Sequence, residues 1–550
     1  MLREEIKNLI WKIVGDQIDF SVEIPKGGQA YGDFSTNVAF VLAKKINKSP
    51  KEVADDIISK VKNEEIFKRV VFAPPGFINF FIANKYFIDN LKKIGDDYGK
   101  GSGMKNKKVV IDYTDPNPFK EFHIGHLMSN AIGESISRIF EFQGAKIKRV
   151  CFQGDVGIHV AKAIYGKIIF PDWTWGGAYA HGAAEYERNE EAKKKIIELN
   201  KKIYNRSDKK INKLYDEGKK VSLENFDKIY KTLDTKFNDL IFESQVIDLG
   251  KKMVEKGLKE GIFEKGEGGA VIFRGENCGL HTRVFINSDG LPTYEAKDLG
   301  LAELKYKKYK YDESVVVTAN EQNSHFAVML CALDKLDKKL AEKTKHVSHG
   351  MLRLPEGKMS SRTGKIITGE SLIERVKELV EQKIKDKNFP ENEKAEISES
   401  VAVGAIRYSI LKQSIGSDIV YDFDKSISFE GNSGPYLQYS YARARSVLKK
   451  AKDEGIKPSF KNVSGEITQL EKMLSKFPEV VLQAQKKIEP HSLTTYLTEL
   501  AGIFNSYYAK NKIVDKADEI SPYRVAITNA FAITMKNGMW LLGIKTLEKM

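Results

Sequence analysis

Two imidazoles three residues apart, in His123-Ile124-Gly125-His126, stand where a Pro-rich loop (113–122) gives way to helical periodicity. The start of a helix offers free N–H groups and a partial positive charge, which suit phosphate. Two histidines on that first turn add donors that can follow charge onto phosphate oxygens. Gly125 leaves room for a nucleoside to approach the backbone. Histidine is scarce, nine in 550 residues, so the pairing carries information. Further along, Pro355-Glu356-Gly357-Lys358-Met359-Ser360-Ser361-Arg362-Thr363-Gly364-Lys365 is glycine-flanked, hydroxyl-rich and cationic. Such a loop can close over a triphosphate and stabilise the charge that builds during attack on the α-phosphorus.

These segments need a scaffold. Val109-Val110-Ile111 reads as a buried strand. Leu127, Ala131, Ile132, Ile136, Ile139 and Phe140 then share one helical face over about 125–142. Gly144 suits a helix stop. Ile147 to Phe152 is the next strand, ending at Gly154-Asp155-Val156-Gly157. A strand–helix–strand unit of this length implies a parallel sheet with a right-handed crossover, and ligands bind at the C-terminal ends of such strands. Sheet-like segments recur at 270–273, 283–286 and 314–317. The Lys/Glu-dense helical stretch opened by Trp173-Thr174-Trp175-Gly176-Gly177 reads as an insertion. Residues 1–100 read as a small α/β unit, with helices at 2–14 and 51–63 and strands at 70–72 and 77–81. Beyond about 375 the pattern is helical to the end.

Length predicts three or four domains. Lys+Arg exceed Asp+Glu by 89 − 75 = 14, which favours a polyanionic partner. The three cysteines, Cys151, Cys278 and Cys331, form no C-x-x-C pair, so neither a zinc site nor a disulfide framework is expected. The N-terminal residues lack an apolar signal core, and no stretch is apolar enough to span a membrane. The chain is read as a cytoplasmic protein with no membrane partner.

The pair of segments resembles the HIGH and KMSKS motifs of class I aminoacyl-tRNA synthetases. Within that class the remaining residues resemble arginyl-tRNA synthetase. Asp115-Pro116-Asn117 with Lys120 looks like its approach loop, and Gly154-Asp155-x-Gly157 follows. Leu291 to Asp298 is similar to its P-T-Y-x-x-x-D segment. Phe429-Glu430-Gly431-Asn432-Ser433-Gly434-Pro435-Tyr436-Leu437-Gln438-Tyr439 resembles its most distinctive stretch. Tyr31 to Asn37, Pro75 to Asn79 and the C-terminal segment 536–550 extend the likeness to nearly the whole chain. Residues 167–220 match least securely.

The resemblance implies a Rossmann-type doubly wound parallel sheet over 101–375, with an insertion at about 167–240. It also implies an N-terminal tRNA-contacting domain (1–100), a helical stem (376–430) and an all-α anticodon-binding domain (431–550). The implied activity is arginine–tRNA ligation through arginyl-adenylate, with tRNA(Arg), L-arginine and ATP as partners and magnesium accompanying the ATP rather than held in a protein-built metal site. The chain is read as a monomer. Catalytic roles then fall to His123, His126, Lys358, Ser360 and Arg362. ATP contacts fall to His123, Gly125, His126, Gly350, Met351 and Lys358. A guanidinium is a planar fork of donors that stays charged, so its pocket should offer carboxylates and amide oxygens. Asn117, His159, Glu243, Tyr294, Asp298 and Gln322 are the matching positions. Tyr294 and Asp298, four apart, share a helical face. Asn37, Tyr436, Tyr439, Arg443 and Arg445 are the implied tRNA contacts, by base stacking and phosphate pairing.

Ser361 stands where the family's second lysine is usual, His159 where it usually has glutamine, and Val156 where an aromatic is frequent. Two alternatives stay open at this point. One is a class I synthetase of another specificity, such as a cysteinyl or glutamyl enzyme; dispersed cysteines argue against the cysteinyl one. The other is a catalytically silent tRNA-binding paralogue, against which the intact His123, His126 and Lys358 argue.

Overall fold

The strand expected at Val109–Ile111 runs Lys108–Asp112 (β1) and is buried from Val109 on. It lies in a five-stranded sheet with Lys146–Gln153 (β2), Asp239–Phe242 (β3), Glu313–Ala319 (β4) and Thr344–His349 (β5). The order is β3-β2-β1-β4-β5, with every neighbouring pair parallel. That is the doubly wound order. It reverses between β1 and β4, where the carboxyl ends of the strands leave a crevice. The β1–β2 crossover is the helix Ile124–Phe142 (α1), buried along most of its length, and Gly144 follows it at φ +94.

The computed structural model describes residues 2–25, 29–353, 368–387, 389–461 and 466–550. The chain divides into two compact units, one of 100–442, 481–499 and 538–550 and the other of 1–99, 443–480 and 500–537. The first holds the parallel sheet. The second holds a four-stranded antiparallel sheet ordered Val22–Glu23, Phe34–Thr36, Phe77–Ile82, Phe67–Ala73. Its core joins Ile6 and Ile10 of the helix Leu2–Val14 to Val53 and Ile57 of Pro50–Val61, with Ile78 and Phe80.

Two of the sheet-like segments belong elsewhere. Val271–Phe273 is the central strand of a separate antiparallel sheet, pairing with Arg283–Ile286 on one side and Glu264–Lys265 on the other. The insertion is three helices, Trp175–Arg188, Glu190–Asn205 and Lys209–Thr232, whose starts are capped by the side chains of Thr174, Asn189 and Asp208. Phe119, Ile164, Trp175, Ile196 and Tyr215 form the core beneath them.

The cysteine expectation needs correction. Cys278 and Cys331, 53 residues apart, are joined as a disulfide. The turn Gly275–Cys278 lies beside the helix Asn323–Leu336 that carries Cys331. Sequence separation says nothing about such a long-range approach. Among the described residues no helix is long and apolar enough to cross a membrane.

Candidate active site

The loop between β1 and α1 is held in an unusual backbone shape. Thr114, Asp115 and Phe119 take φ of +83, +48 and +71, which is costly for side chains other than glycine. Each is fixed from outside the loop. Thr114 donates its N–H to Ser129 Oγ (2.9 Å), Phe119 donates its own to Ser222 Oγ (2.9 Å), and Asp115 Oδ1 accepts the Phe152 N–H (2.7 Å). Helix α1, the insertion and β2 thus set the loop together. Burial, with repulsion from Asp112, pushes the Asp115 carboxyl well above its usual range.

His123 caps α1. Its Nδ1 accepts the Gly125 N–H at 3.1 Å, and His126 Nδ1 accepts the His123 N–H at 3.1 Å. The rings stack with centroids 3.6 Å apart. Burial, then Lys120, holds His123 down at about 4; burial, then His123, holds His126 well below the usual imidazole range. Both rings are therefore neutral at neutral pH, with the proton on Nε2, because Nδ1 is accepting. The helix N-terminus carries two Nε2–H donors.

Lys120, on the same loop, lies over the Tyr179 ring at 4.9 Å and has no ion pair among the described residues. Burial, then Lys162, lowers its ammonium to about 8. It is the cation nearest in influence to the imidazoles, and it was legible only as part of a motif.

Three of the expected amino-acid residues converge on Gly154, at the end of β2. Asn117 Oδ1 accepts the Gly154 N–H (2.8 Å), and His159 Nε2 donates to the Gly154 carbonyl (2.8 Å). A Cβ at Gly154 would stand 2.5 Å from Asn117 Oδ1 and 3.2 Å from Glu243 Oε1, so only glycine fits there. Burial, then Lys120, lowers His159 to about 3, leaving it neutral.

Glu243 opens the helix Glu243–Lys259 (α2) and Tyr294 opens Tyr294–Tyr309 (α3). Gly250 and Gly300 let these helices touch along their backbones; a Cβ at Gly250 would meet the Ala296 carbonyl at 2.0 Å, one at Gly300 the Val246 carbonyl at 2.4 Å. The two first turns are thereby brought together. Lys297 on α3 sets its Nζ 2.7 Å from Glu243 Oε2 and 5.1 Å from the Tyr294 ring centroid. Burial pushes Glu243 up, with Lys297 opposing it. Tyr294 is 60% exposed. Asp298, one turn on, accepts from His325 Nε2 at 2.5 Å. Gln322, exposed, ends the short turn Asn320–Gln322 after β4.

Sequence reading assigned no role to three charged side chains here, Lys297, His325 and Asp155. Asp155 is fully buried and binds Ser244 N–H (2.9 Å) and Oγ (2.7 Å), Tyr215 OH (2.8 Å) and Lys219 Nζ (2.8 Å). It ties the insertion to the residue beside Glu243. The signal available was the Gly154-Asp155 motif itself.

Other expected contacts stand differently. Met351 donates its N–H to Asp418 Oδ1 (2.8 Å) and its carbonyl accepts from Ile419, and the Gly350 carbonyl faces His349 Nδ1 at 2.7 Å, so these backbone groups already have protein partners. Asn37 Oδ1 accepts the Ser21 N–H (2.9 Å). Tyr436, Tyr439, Arg443 and Arg445 lie half-buried on the helix Gly434–Asp453; Tyr439 packs near Phe429, and Arg443 bonds Asn505 Oδ1 at 2.6 Å. Lys358, Ser360, Ser361 and Arg362 lie outside the described residues.

The family profile described as tRNA synthetases class I (R), catalytic domain, matches residues 90–423. The chain belongs to the class I arginyl-tRNA synthetases. An arginyl-tRNA synthetase N-terminal profile covers 1–82 and a DALR anticodon-binding profile covers 437–550 of this family member. An arginine–tRNA ligase of Borrelia garinii is 31% identical, spanning 100% of this chain and 99% of its own length. One from Clostridium perfringens is 32% identical over 97% of each. The fold of the arginyl-tRNA synthetase of Thermus thermophilus superposes with a TM-score of 0.82, covering all of both chains at 24% identity.

Proposed function

We propose that this chain activates L-arginine with magnesium-bound ATP and transfers it to the terminal adenosine of tRNA(Arg) in the cytoplasm. Family membership supports the reaction class, and the site supports the division of labour. In the first step an arginine carboxylate oxygen attacks the α-phosphorus and pyrophosphate leaves. In the second a hydroxyl of the terminal adenosine attacks the carbonyl carbon and AMP leaves. The carboxylate is already the nucleophile, so positioning and charge stabilisation carry the first step.

The observation that carries the reading is the pair of neutral, stacked imidazoles at the head of α1, with Nδ1 taken and Nε2–H left to donate. His123 and His126 hold phosphate oxygens in this reading. Lys120 adds a half-buried cation beside them, with Lys358 and Arg362 adding charge and Ser360 a hydroxyl donor. Asn117 and His159 border the amino-acid end through Gly154. Glu243, Tyr294, Asp298 and Gln322 take the guanidinium. The N-terminal domain (1–100), through Asn37, and the helical segment 431–550, through Tyr436, Tyr439, Arg443 and Arg445, hold the tRNA.

Amino-acid-dependent ATP–pyrophosphate exchange, with and without tRNA, tests this. Exchange is expected with arginine and only when tRNA is present. Exchange driven by another amino acid would overturn the specificity.

A further inference from the structure

Asp298 is one end of a row of alternating charges that runs away from the site. Its Oδ2 accepts from His325 Nε2 at 2.5 Å. His325 Nδ1 stands 3.4 Å from Glu295 Oε1, and that oxygen also takes Arg283 Nη1 at 3.3 Å. Arg283 is fixed in turn by Ser324 Oγ, 2.8 Å from Nη2. The side chains of His325, Glu295 and Asp298 are 8%, 9% and 14% exposed. Glu295 and Asp298 sit three apart on α3, so one imidazole spans both carboxylates, and His325 follows Gln322 by three residues.

A carboxylate that recognises a guanidinium must present an oxygen in the plane of the fork. Left alone, it would rotate and share its lone pairs with water. Here Oδ2 is held, and Oδ1 has no partner among the described residues.

We propose that His325 is a positioning residue for arginine recognition, pinning one oxygen of Asp298 so that the other is presented to the substrate's guanidinium. This rests on the reading of Asp298 as a guanidinium acceptor. Burial pulls the imidazole down, but Asp298 and Glu295 raise it to about 9, so the row keeps its alternation at neutral pH. Held this way, Asp298 enters the complex already oriented, and the substrate does not bear that ordering cost.

The test compares arginine and ATP KM and kcat in tRNA-dependent pyrophosphate exchange for His325→Leu, His325→Gln, Asp298→Asn and the double variant H325L/D298N. H325L should raise arginine KM about tenfold with ATP KM and kcat within about twofold, the loss of one charge-assisted hydrogen bond. H325Q keeps an N–H donor and should restore arginine KM to within about threefold. In the D298N background H325L should add less than about twofold, because the two act as one unit. An unchanged arginine KM in H325L, an equal change in ATP KM and kcat, or a full effect persisting in D298N overturns the proposal. Should H325L fail to fold, His325→Phe fills the volume without the donor and carries the same expectations. If D298N alone leaves arginine KM unchanged, the reading of the pocket fails first, and that outcome is distinct from a failure of His325.

Discussion

The His123 and His126 rings stack with centroids 3.6 Å apart, and each gives its Nδ1 to a backbone N–H of the same helical turn. The capping bond does two things at once. It satisfies donors that a helix start leaves open, and it fixes the tautomer that carries the proton on Nε2. His123→Asn separates the two, because asparagine still caps a helix but has no equivalent of Nε2. It should lower kcat by about 10²-fold, as loss of a charge-stabilising donor does. Arginine KM and the circular dichroism of the fold should stay unchanged. An unaltered kcat would remove His123 from the phosphate chemistry.

Stability should fall on both sides of about pH 6.5. His123 and His346 are held at about 4 and His159 at about 3, chiefly by burial. Below the ordinary imidazole value the unfolded chain binds protons these sites refuse, so acidification from 6.5 towards 4 costs stability. His325, raised to about 9, has the opposite sign. Its contribution is complete below 6.5 and is lost as pH rises through 9. Melting temperature measured across pH 4 to 9 checks both limbs. H325Q should flatten the alkaline limb and leave the acid one, and a decline that persists in H325Q would place its origin elsewhere.

Glu243 carries a cation before any substrate arrives, the Lys297 ammonium at 2.7 Å, with both side chains 6% exposed. In the proposed pocket, arginine shares that carboxylate. Glu243→Gln should raise arginine KM by about ten- to a hundredfold, in line with truncating a buried charged partner, and leave ATP KM alone. Steady-state kinetics with each substrate varied in turn decides this, and an equal rise in both values would mean a general loss of structure.

Asp155 should act on stability first. It is fully buried and binds Ser244, Tyr215 and Lys219. Asp155→Ala strands the Lys219 ammonium and the Ser244 N–H, at a cost on the order of 3 kcal/mol. Chemical denaturation of the full chain measures this, and a loss well under 1 kcal/mol would show the network to be dispensable.

Much of this was legible in the sequence because it was written in local patterns. The β1–α1–β2 unit follows from periodicity, and α1 begins within one residue of its expected start. The spacing of Tyr294 and Asp298 placed both on one helix, which is α3. Two strands of the sheet were not legible. β5, Thr-Lys-His-Val-Ser-His, has one apolar residue in six, and β3 is only four residues long. Neither shows a periodicity, and each is a strand because its parallel neighbour supplies the hydrogen bonds. The charge pairs of the pocket were likewise hidden. Lys297 and His325 reach Glu243 and Asp298 across 54 and 27 residues of chain. The packing of α2 on α3, allowed by Gly250 and Gly300, brings Lys297 to Glu243, and the helix Asn323–Leu336 brings His325 to Asp298. The disulfide between Cys278 and Cys331 was missed for the same reason.

The central claim is that these carboxylates read a guanidinium. Aminoacylation of tRNA(Arg) by the full chain, with each standard amino acid offered separately, tests it most directly. Arginine alone should be attached, with lysine at least about 10³-fold worse in kcat/KM, because an ammonium cannot fill planar acceptors built for a fork. Charging with lysine or a neutral amino acid at a comparable rate would contradict the account.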